Sequence, residues 1–280
     1  MQRLFVFLKK ELWTRFPMAF EIISYAIIGV LAGILSGLLG IGGGIVTIPC
    51  LLLVFAHSDI PPQAYMHLAI GTSLAAMVFT TLSGSYTHYK KEAVLFEIVK
   101  PMALGVIVGS FLGALITRIL PSHFLQIFFG AFECVLGIRF LLPEKPITKH
   151  HPLPKFWGLI TIALGVSIFS TMMGVGGGLI NVPILSYFHV PVKKAIGTSS
   201  ALSFLISLCG AISFLLLGVH ASKAPDSVGF LYLPAFIIIS IISFFVAPYG
   251  AKWAHSLPTT ILKKVFGGIL ILAGLSMILN

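Results

Sequence analysis

Charge is what this sequence has least of. Only 9% of its 280 residues are Asp, Glu, Lys or Arg, and just 8 of those are acidic. A water-soluble domain carries roughly 25% charged and about 45–50% apolar residues. This chain is 58% hydrophobic with a mean hydropathy of +1.05, which excludes a soluble globule. Cysteine is nearly as scarce. Cys50, Cys134 and Cys209 all lie inside apolar runs, and an odd number without pairing or metal-ligand spacing excludes a disulfide framework and a zinc motif. The strict alternation of a barrel strand, over ~10 residues, is missing too; Phe236 to Val246 is nearly solid apolar sequence. The first 16 residues hold Arg3, Lys9, Lys10, Glu11 and Arg15, too many charges around too short an apolar core for a secretory signal. Residues 1–21 are expected instead to form an interfacial segment with Trp13 at headgroup depth.

What is present is hydrocarbon length. Cutting at charged residues leaves runs at 22–58, 60–89, 101–117, 156–192, 195–222, 227–251 and 265–280. Most reach the ~20 residues a helix needs to cross about 30 Å of hydrocarbon. The fold class is therefore all-α, a polytopic integral membrane protein. Net charge is +10, but the 18 Lys and Arg stand singly or in pairs between apolar runs. That distribution fits positive-inside anchoring in a bilayer and not nucleic-acid binding. No His pair has i, i+4 spacing within a helix, and no His or Asp stands beside a span Ser or Thr. Neither a metal site, a cofactor nor an enzyme activity is expected.

Compared with itself, the chain is a duplicated half. Ser36 to Pro49 aligns with Ser170 to Pro183, and Ala69-Ile-Gly-Thr-Ser73 recurs as Ala195-Ile-Gly-Thr-Ser199. Gly84, Gly113-Ala114, Leu120-Pro121, Gly130 and Gly137 match Gly210, Gly250-Ala251, Leu257-Pro258, Gly267 and Gly274. Two homologous repeats of about four segments follow, 22–142 and 157–280, joined by a polar loop at 143–156. Such duplication is a feature of transporter folds. The first segment of each repeat is long and glycine-broken. If it crosses once, the repeats are parallel; if it doubles back, they are inverted. Either way twelve of the 18 basic residues fall on one side, so charge alone does not choose, although four basic residues ahead of the first span favour a single crossing with the N-terminus inside.

The breaks are Gly40, Gly42, Gly43 and Gly44 in one repeat and Gly174, Gly176, Gly177 and Gly178 in the other. Each glycine costs a helix about 0.5–1 kcal/mol relative to Ala, so both helices should unwind there. Unwound backbone at membrane depth survives only where protein buries it or it lines a wet cavity, and matched breaks in two halves point to a transport site. Past each break a new helix begins, with Pro49 or Pro183 early in it. Its free N–H groups suit an anion. Thr47 and Asn181 stand just beyond the breaks, and Thr72, Ser73, Thr198 and Ser199 add hydroxyl donors without charge. The remaining glycines, including Gly33, Gly37, Gly105, Gly109, Gly113, Gly267 and Gly274, read as close helix packing. Glu133 lies in the middle of an apolar run, opposite Leu270 of the second repeat. It reads either as a proton-coupling carboxylate or as half of an ion pair with Arg118 or Arg139.

In these duplicated blocks the sequence resembles the TauE/SafE sulfite exporter family over residues 22 to 279. The resemblance implies a permease of the bacterial inner membrane that moves a small sulfur-containing anion, sulfite or an organosulfonate, driven by an ion gradient of H+ or Na+. Thr47 stands where the second repeat has Asn181, and Thr171 where the first has Gly37, so substrate choice stays open. The reading is alternating access around the two breaks. The rival is a cation or metal-ion permease in which break carbonyls and Glu133 hold the ion. Assembly as a homodimer is left open.

Overall fold

A computed structural model of the chain describes residues 2–39, 42–58, 60–142, 152–219, 224–253 and 259–279. Side chains are described over 19–37, 42–58, 60–142, 152–219, 224–250, 264 and 266–279. Gly40 and most of the 143–156 connection lie outside the described residues. Among those described, the helices are α1 (Gln2–Leu39), α2 (Gly44–Phe55), α3 (Tyr65–Lys90), α4 (Phe96–Ile119), α5 (Ser122–Leu141), α6 (Phe156–Met172), α7 (Gly178–Tyr187), α8 (Val192–Gly218), α9 (Leu233–Trp253) and α10 (Thr259–Leu279). A two-stranded antiparallel ribbon, β1 (Ser227–Val228) and β2 (Leu231–Tyr232), precedes α9. Six helices are long and apolar enough to cross a bilayer: α3, α4, α5, α8 and the stretches Ala19–Gly37 and Leu233–Gly250 of α1 and α9. The chain is an all-α, multi-pass membrane protein.

Direction follows from which residues meet. Gly43 packs on Ala32, the rings of Phe20 and His57 pair, and Ser58 Oγ donates to Glu21 Oε1 at 2.7 Å. Thus α2 runs back along α1 as far as Phe20 and Glu21, where the apolar stretch of α1 begins. Likewise Gly177 lies beside Ser170, while Leu185 and Val190 cluster with Leu159 and Ala163, so α7, packed on α8, turns back toward the end where α6 begins. The single crossing favoured by the basic N-terminal tail is therefore not the fold. Its physical reason is local. Gly42 and Gly43 have φ of +86° and +78°, and Gly174 and Gly177 have +60° and +74°. These left-handed residues turn the chain, and a side chain there would add about 1–2 kcal/mol each.

The remaining pairs complete the frame. Helices α3 and α8 are antiparallel, with Gly84 against Ser200 and Gly210 against Leu74. Helices α5 and α10 are antiparallel as well, Gly130 meeting Gly274 and Gly137 meeting Gly267. By contrast α4 runs parallel to α6, and α1 parallel to α9, the latter bringing Gly33 to Ser243 and Gly250 to Ile34. Thr80 and Ser243 hydroxyls, 3.1 Å apart, tie α3 to α9. Exchanging α1–α5 for α6–α10 maps α1–α9 onto α4–α6 and returns α3–α8 and α5–α10 to themselves, each helix reversed.

Glycine stripes make these approaches possible. On α4, Gly105, Gly109 and Gly113 face the carbonyls of Ile160, Leu164 and Ile168 on α6; a Cβ on Gly109 would come to 2.5 Å of the Leu164 oxygen. Without a hydrophobic force between helices in lipid, such close backbone contact supplies the packing. Gly165, on α6, faces open space, with nothing within 4 Å of a Cβ placed there. Gly109→Ala is therefore expected to destabilise by about 1–3 kcal/mol through overpacking, whereas Gly165→Ala gains about 0.5–1 kcal/mol of helix propensity. Thermal unfolding of the two variants in detergent, measured against the parent, checks the opposite signs.

Candidate functional site

The two breaks meet at the centre of the bundle. The α carbon of Gly44, first residue of α2, abuts the carbonyl oxygen of Gly174, and a Cβ on Gly174 would stand 2.5 Å from Ile48 Cδ1. Ser73 Oγ, in the first half of α3, donates to that same Gly174 oxygen at 3.1 Å. A flexible side chain fills what space is left: Met77, one turn beyond Ser73, reaches Gly42, Gly44 and Gly176, so it touches both breaks at once. Its counterpart in the sequence alignment of the two halves is Ser203 on α8.

The surroundings of the two breaks differ in polarity. Beside the second break, Ser203 and Ser207 of α8 flank Gly176, while Ser170 of α6 and Asn181 of α7 flank Gly177. All four are buried, as is Thr171, and their hydroxyls and the Asn181 Oδ1 have no hydrogen-bond partner. Nor, among the described residues, does any backbone hydrogen bond engage the N–H groups of Gly176, Gly177, Gly178 and Leu179. An unsatisfied buried polar group costs about 1–3 kcal/mol, so this is a concentrated deficit. Around the first break the N–H groups of Gly42 to Ile45 are likewise unengaged among the described residues, but the threonine hydroxyls are satisfied. Thr47 Oγ1 donates to Gly43 O at 3.1 Å and Thr81 Oγ1 to Met77 O at 2.6 Å.

The Gly-Thr-Ser triplets divide into three jobs. Gly71 and Gly197 let the carbonyls of Phe230 and Ala93 come into contact with the helix. Thr72 Oγ1 then accepts from Tyr232 N–H, and Thr198 Oγ1 from Leu95 N–H, both at 3.0 Å. These two threonines tether the chain just before α9 and α4, and the structure does not bring them to the breaks. Only the serines face inward: Ser73 as above, and Ser199, buried without a partner. Ser170, Thr171, Ser203, Ser207 and Met77 were not among the residues anticipated. The signal for two of them was the i, i+4 ladder Ser199, Ser203, Ser207 on one face of α8.

Glu133 stands apart. Its side chain is 0% exposed and neither carboxylate oxygen has a partner, while Arg118 and Arg139 are exposed. The ion pair expected as one alternative is not formed. None of the groups nearest the described break glycines belongs to α5. A cavity of about 820 Å³ lies between α2, α5 and α10, running from Tyr65, Ser122 and His123 at the end where α2 finishes up to Ile45 and Leu270. Beside the second break, between Phe132, Phe169 and Leu179, there is no room for a water molecule.

The family model for the sulfite exporter TauE/SafE matches residues 25–277. A probable membrane transporter protein of Haemophilus influenzae is 32% identical over 259 residues, covering 91% of this chain and 97% of its own. One from Methanocaldococcus jannaschii is 28% identical over 259 residues, covering 90% and 94%. A third, YunE of Bacillus subtilis, is 29% identical over 211 residues, covering 69% and 77%. No solved structure matches. With a family match spanning almost its whole length and a multi-pass helical fold, the chain is a membrane transporter of the sulfite exporter TauE/SafE family.

Proposed function

We propose that this transporter moves a small anion, sulfite or an organosulfonate, by alternating access around the two glycine breaks. The observation that carries the reading is the meeting of α2 and α7 at their N-terminal ends, where the glycines put no side chain of their own beside the backbone N–H groups and flexible Met77 fills the space between. Helix N-termini favour an anion by typically 0.3–1 and up to ~2 kcal/mol each. Neutral donors hold the ion without trapping it, as turnover requires. The substrate binders are Gly42, Gly43 and Gly44 with Thr47, and Gly174, Gly176, Gly177 and Gly178 with Asn181, Ser73 and Ser199; Gly40 completes the first motif in sequence. Thr72 and Thr198 serve as tethers. The cation rival is less well supported: the Gly174 carbonyl it would use already accepts from Ser73, and the groups left over at the second break include N–H donors.

The two halves, 22–142 and 157–280, act as inverted copies, and rocking of one against the other exposes the breaks to alternate sides. By chain position, twelve of the 18 basic residues flank the end where α7 finishes, which places that end in the cytoplasm of a bacterial inner membrane and both chain termini outside. Glu133 is the coupling carboxylate, a buried acid whose charge can be gained or lost during the cycle.

Leucine at Gly43 or Gly177 should abolish transport. A left-handed non-glycine residue adds about 1–2 kcal/mol, and overpacking ~1–3 kcal/mol, at the point the substrate must pass. Sulfite or methanesulfonate flux into proteoliposomes should fall at least about tenfold; wild-type flux at normal expression would remove the breaks from the mechanism. Glu133→Gln tests coupling and the rival together. The expected result is anion flux that persists with a flattened pH profile; loss of a cation current instead would favour the cation permease. Reporter fusions at the C-terminus should report an external location, and a cytoplasmic signal would reverse the assigned orientation.

A further inference from the structure

We infer that the anion rests on the second-break side of the centre, and that the seat accepts a single negative charge and rejects a double one. This rests on the anion-permease reading above and adds to it a location and a charge rule.

The location follows from which buried groups lack partners. Ser170, Ser203 and Ser207 bring unpartnered hydroxyls around Gly176 and Gly177, whereas unengaged backbone N–H groups are common to both breaks among the described residues. At the first break, Thr47 and Thr81 spend their hydroxyl protons on Gly43 and Met77 carbonyls. The Ser203 position is occupied there by Met77, whose thioether has no proton to donate. A small oxyanion that displaced the Met77 methyl toward the first break would find backbone N–H groups on both sides but, among the described residues, unspent hydroxyl donors around Gly176 and Gly177 only.

The charge rule follows from what is missing among these donors. Of the described residues, the only ionisable carboxyl or imidazole groups that are buried are Glu133 on α5 and His67 on α3, and no described Lys or Arg is buried. His67 is engaged with the Thr117 carbonyl at 3.0 Å and stacks on Phe230, at the end of the bundle where α3 begins. The seat therefore offers dipoles and no countercharge. The penalty for taking an ion out of water rises with the square of its charge, whereas the attraction of fixed dipoles rises only linearly. Doubling the charge turns a balanced site into an unfavourable one. A hydrogensulfite ion or an alkyl sulfonate fits this rule; sulfate and fully deprotonated sulfite do not.

Sulfite interconverts between singly and doubly charged forms near neutral pH, while methanesulfonate is singly charged throughout. The test is the ratio of their fluxes through the wild-type protein in proteoliposomes, taken from slightly acid to slightly alkaline medium with equal pH on both sides. Methanesulfonate reports any titration of the carrier, at Glu133 or His67, so the ratio isolates the substrate's own charge. The expected result is a sulfite-to-methanesulfonate ratio that falls several-fold as the medium becomes alkaline, with sulfate not competing. A ratio that holds or rises, or strong competition by sulfate, overturns the charge rule while leaving an anion permease in place. Absence of flux for both ions overturns the permease reading itself. For the location, Ser203→Ala with Ser207→Ala should raise the KM for methanesulfonate several-fold and Thr81→Ala should not; the reverse order would put the seat at the first break.

Discussion

Inside a bilayer the backbone must satisfy its own hydrogen bonds, because lipid offers no partner. Everything particular to this protein depends on the two places where it does not. Helices α1 and α6 unwind at glycines with left-handed backbone, the chain turns back on itself, and α2 and α7 begin near the centre of the bundle with their first N–H groups lacking an intrahelical acceptor. Such a defect is tolerable only if it is enclosed. The surrounding helices enclose it tightly: α3 and α8 cross behind the breaks, Met77 fills the middle, and Ile48 and Ile206 close against Gly174 and Gly177.

Tight enclosure in turn depends on glycine away from the breaks. The same residue does opposite work in the two settings. On α4, α5, α9 and α10 it stays helical and lets a neighbouring carbonyl approach, which is packing. At positions 42, 43, 174 and 177 it adopts positive φ and turns the chain between two helices. Gly71 and Gly197 are a third case, where a loop carbonyl lies against the helix so that the following threonine can accept an N–H from the chain two residues on. A motif read as a ligand-binding triplet thus resolves into a spacer, a tether and one inward-facing serine.

That division shows how far residue types alone could be read. Apolar run length was enough for the helices and for the bilayer, since little else can be done with 58% hydrophobic residues. Four glycines within five residues were enough to place the breaks. Whether the chain passes through or doubles back was not legible, because Lys and Arg divide equally well between sides in either arrangement; only contacts such as Ser58 with Glu21 decide it. The roles of Thr72 and Thr198 were hidden for a different reason. Their partners, Tyr232 and Leu95, lie far away in sequence, and a hydroxyl that accepts looks the same in a sequence as one that donates. Ser203 and Ser207 were legible in principle, as an i, i+4 ladder, but only after something else had fixed which face of α8 turns inward.

Differences between the two halves bear on how the proposed cycle would work. If the halves were identical and inverted, the state open to one side and the state open to the other would be the same structure turned over, and equal in energy. A transporter built that way would have no preferred resting state. Here the halves are unequal where it matters: Met77 faces Ser203, Glu133 faces Leu270 in the alignment, and Thr171 replaces Gly37. The packing is unequal in the same sense, with a cavity of about 820 Å³ beside α2 and no room for a water molecule beside Leu179 of α7. A ligand shifts such an equilibrium only by its differential affinity for the two states. In the proposed cycle the unpartnered hydroxyls of Ser170, Ser203 and Ser207 supply that difference, since an anion satisfies them in whichever state admits it and leaves them unsatisfied in the other. On the proposed reading, the polar deficit at the second break is the element through which substrate binding drives the exchange, and Met77, flexible and unable to donate, is the side chain that must yield.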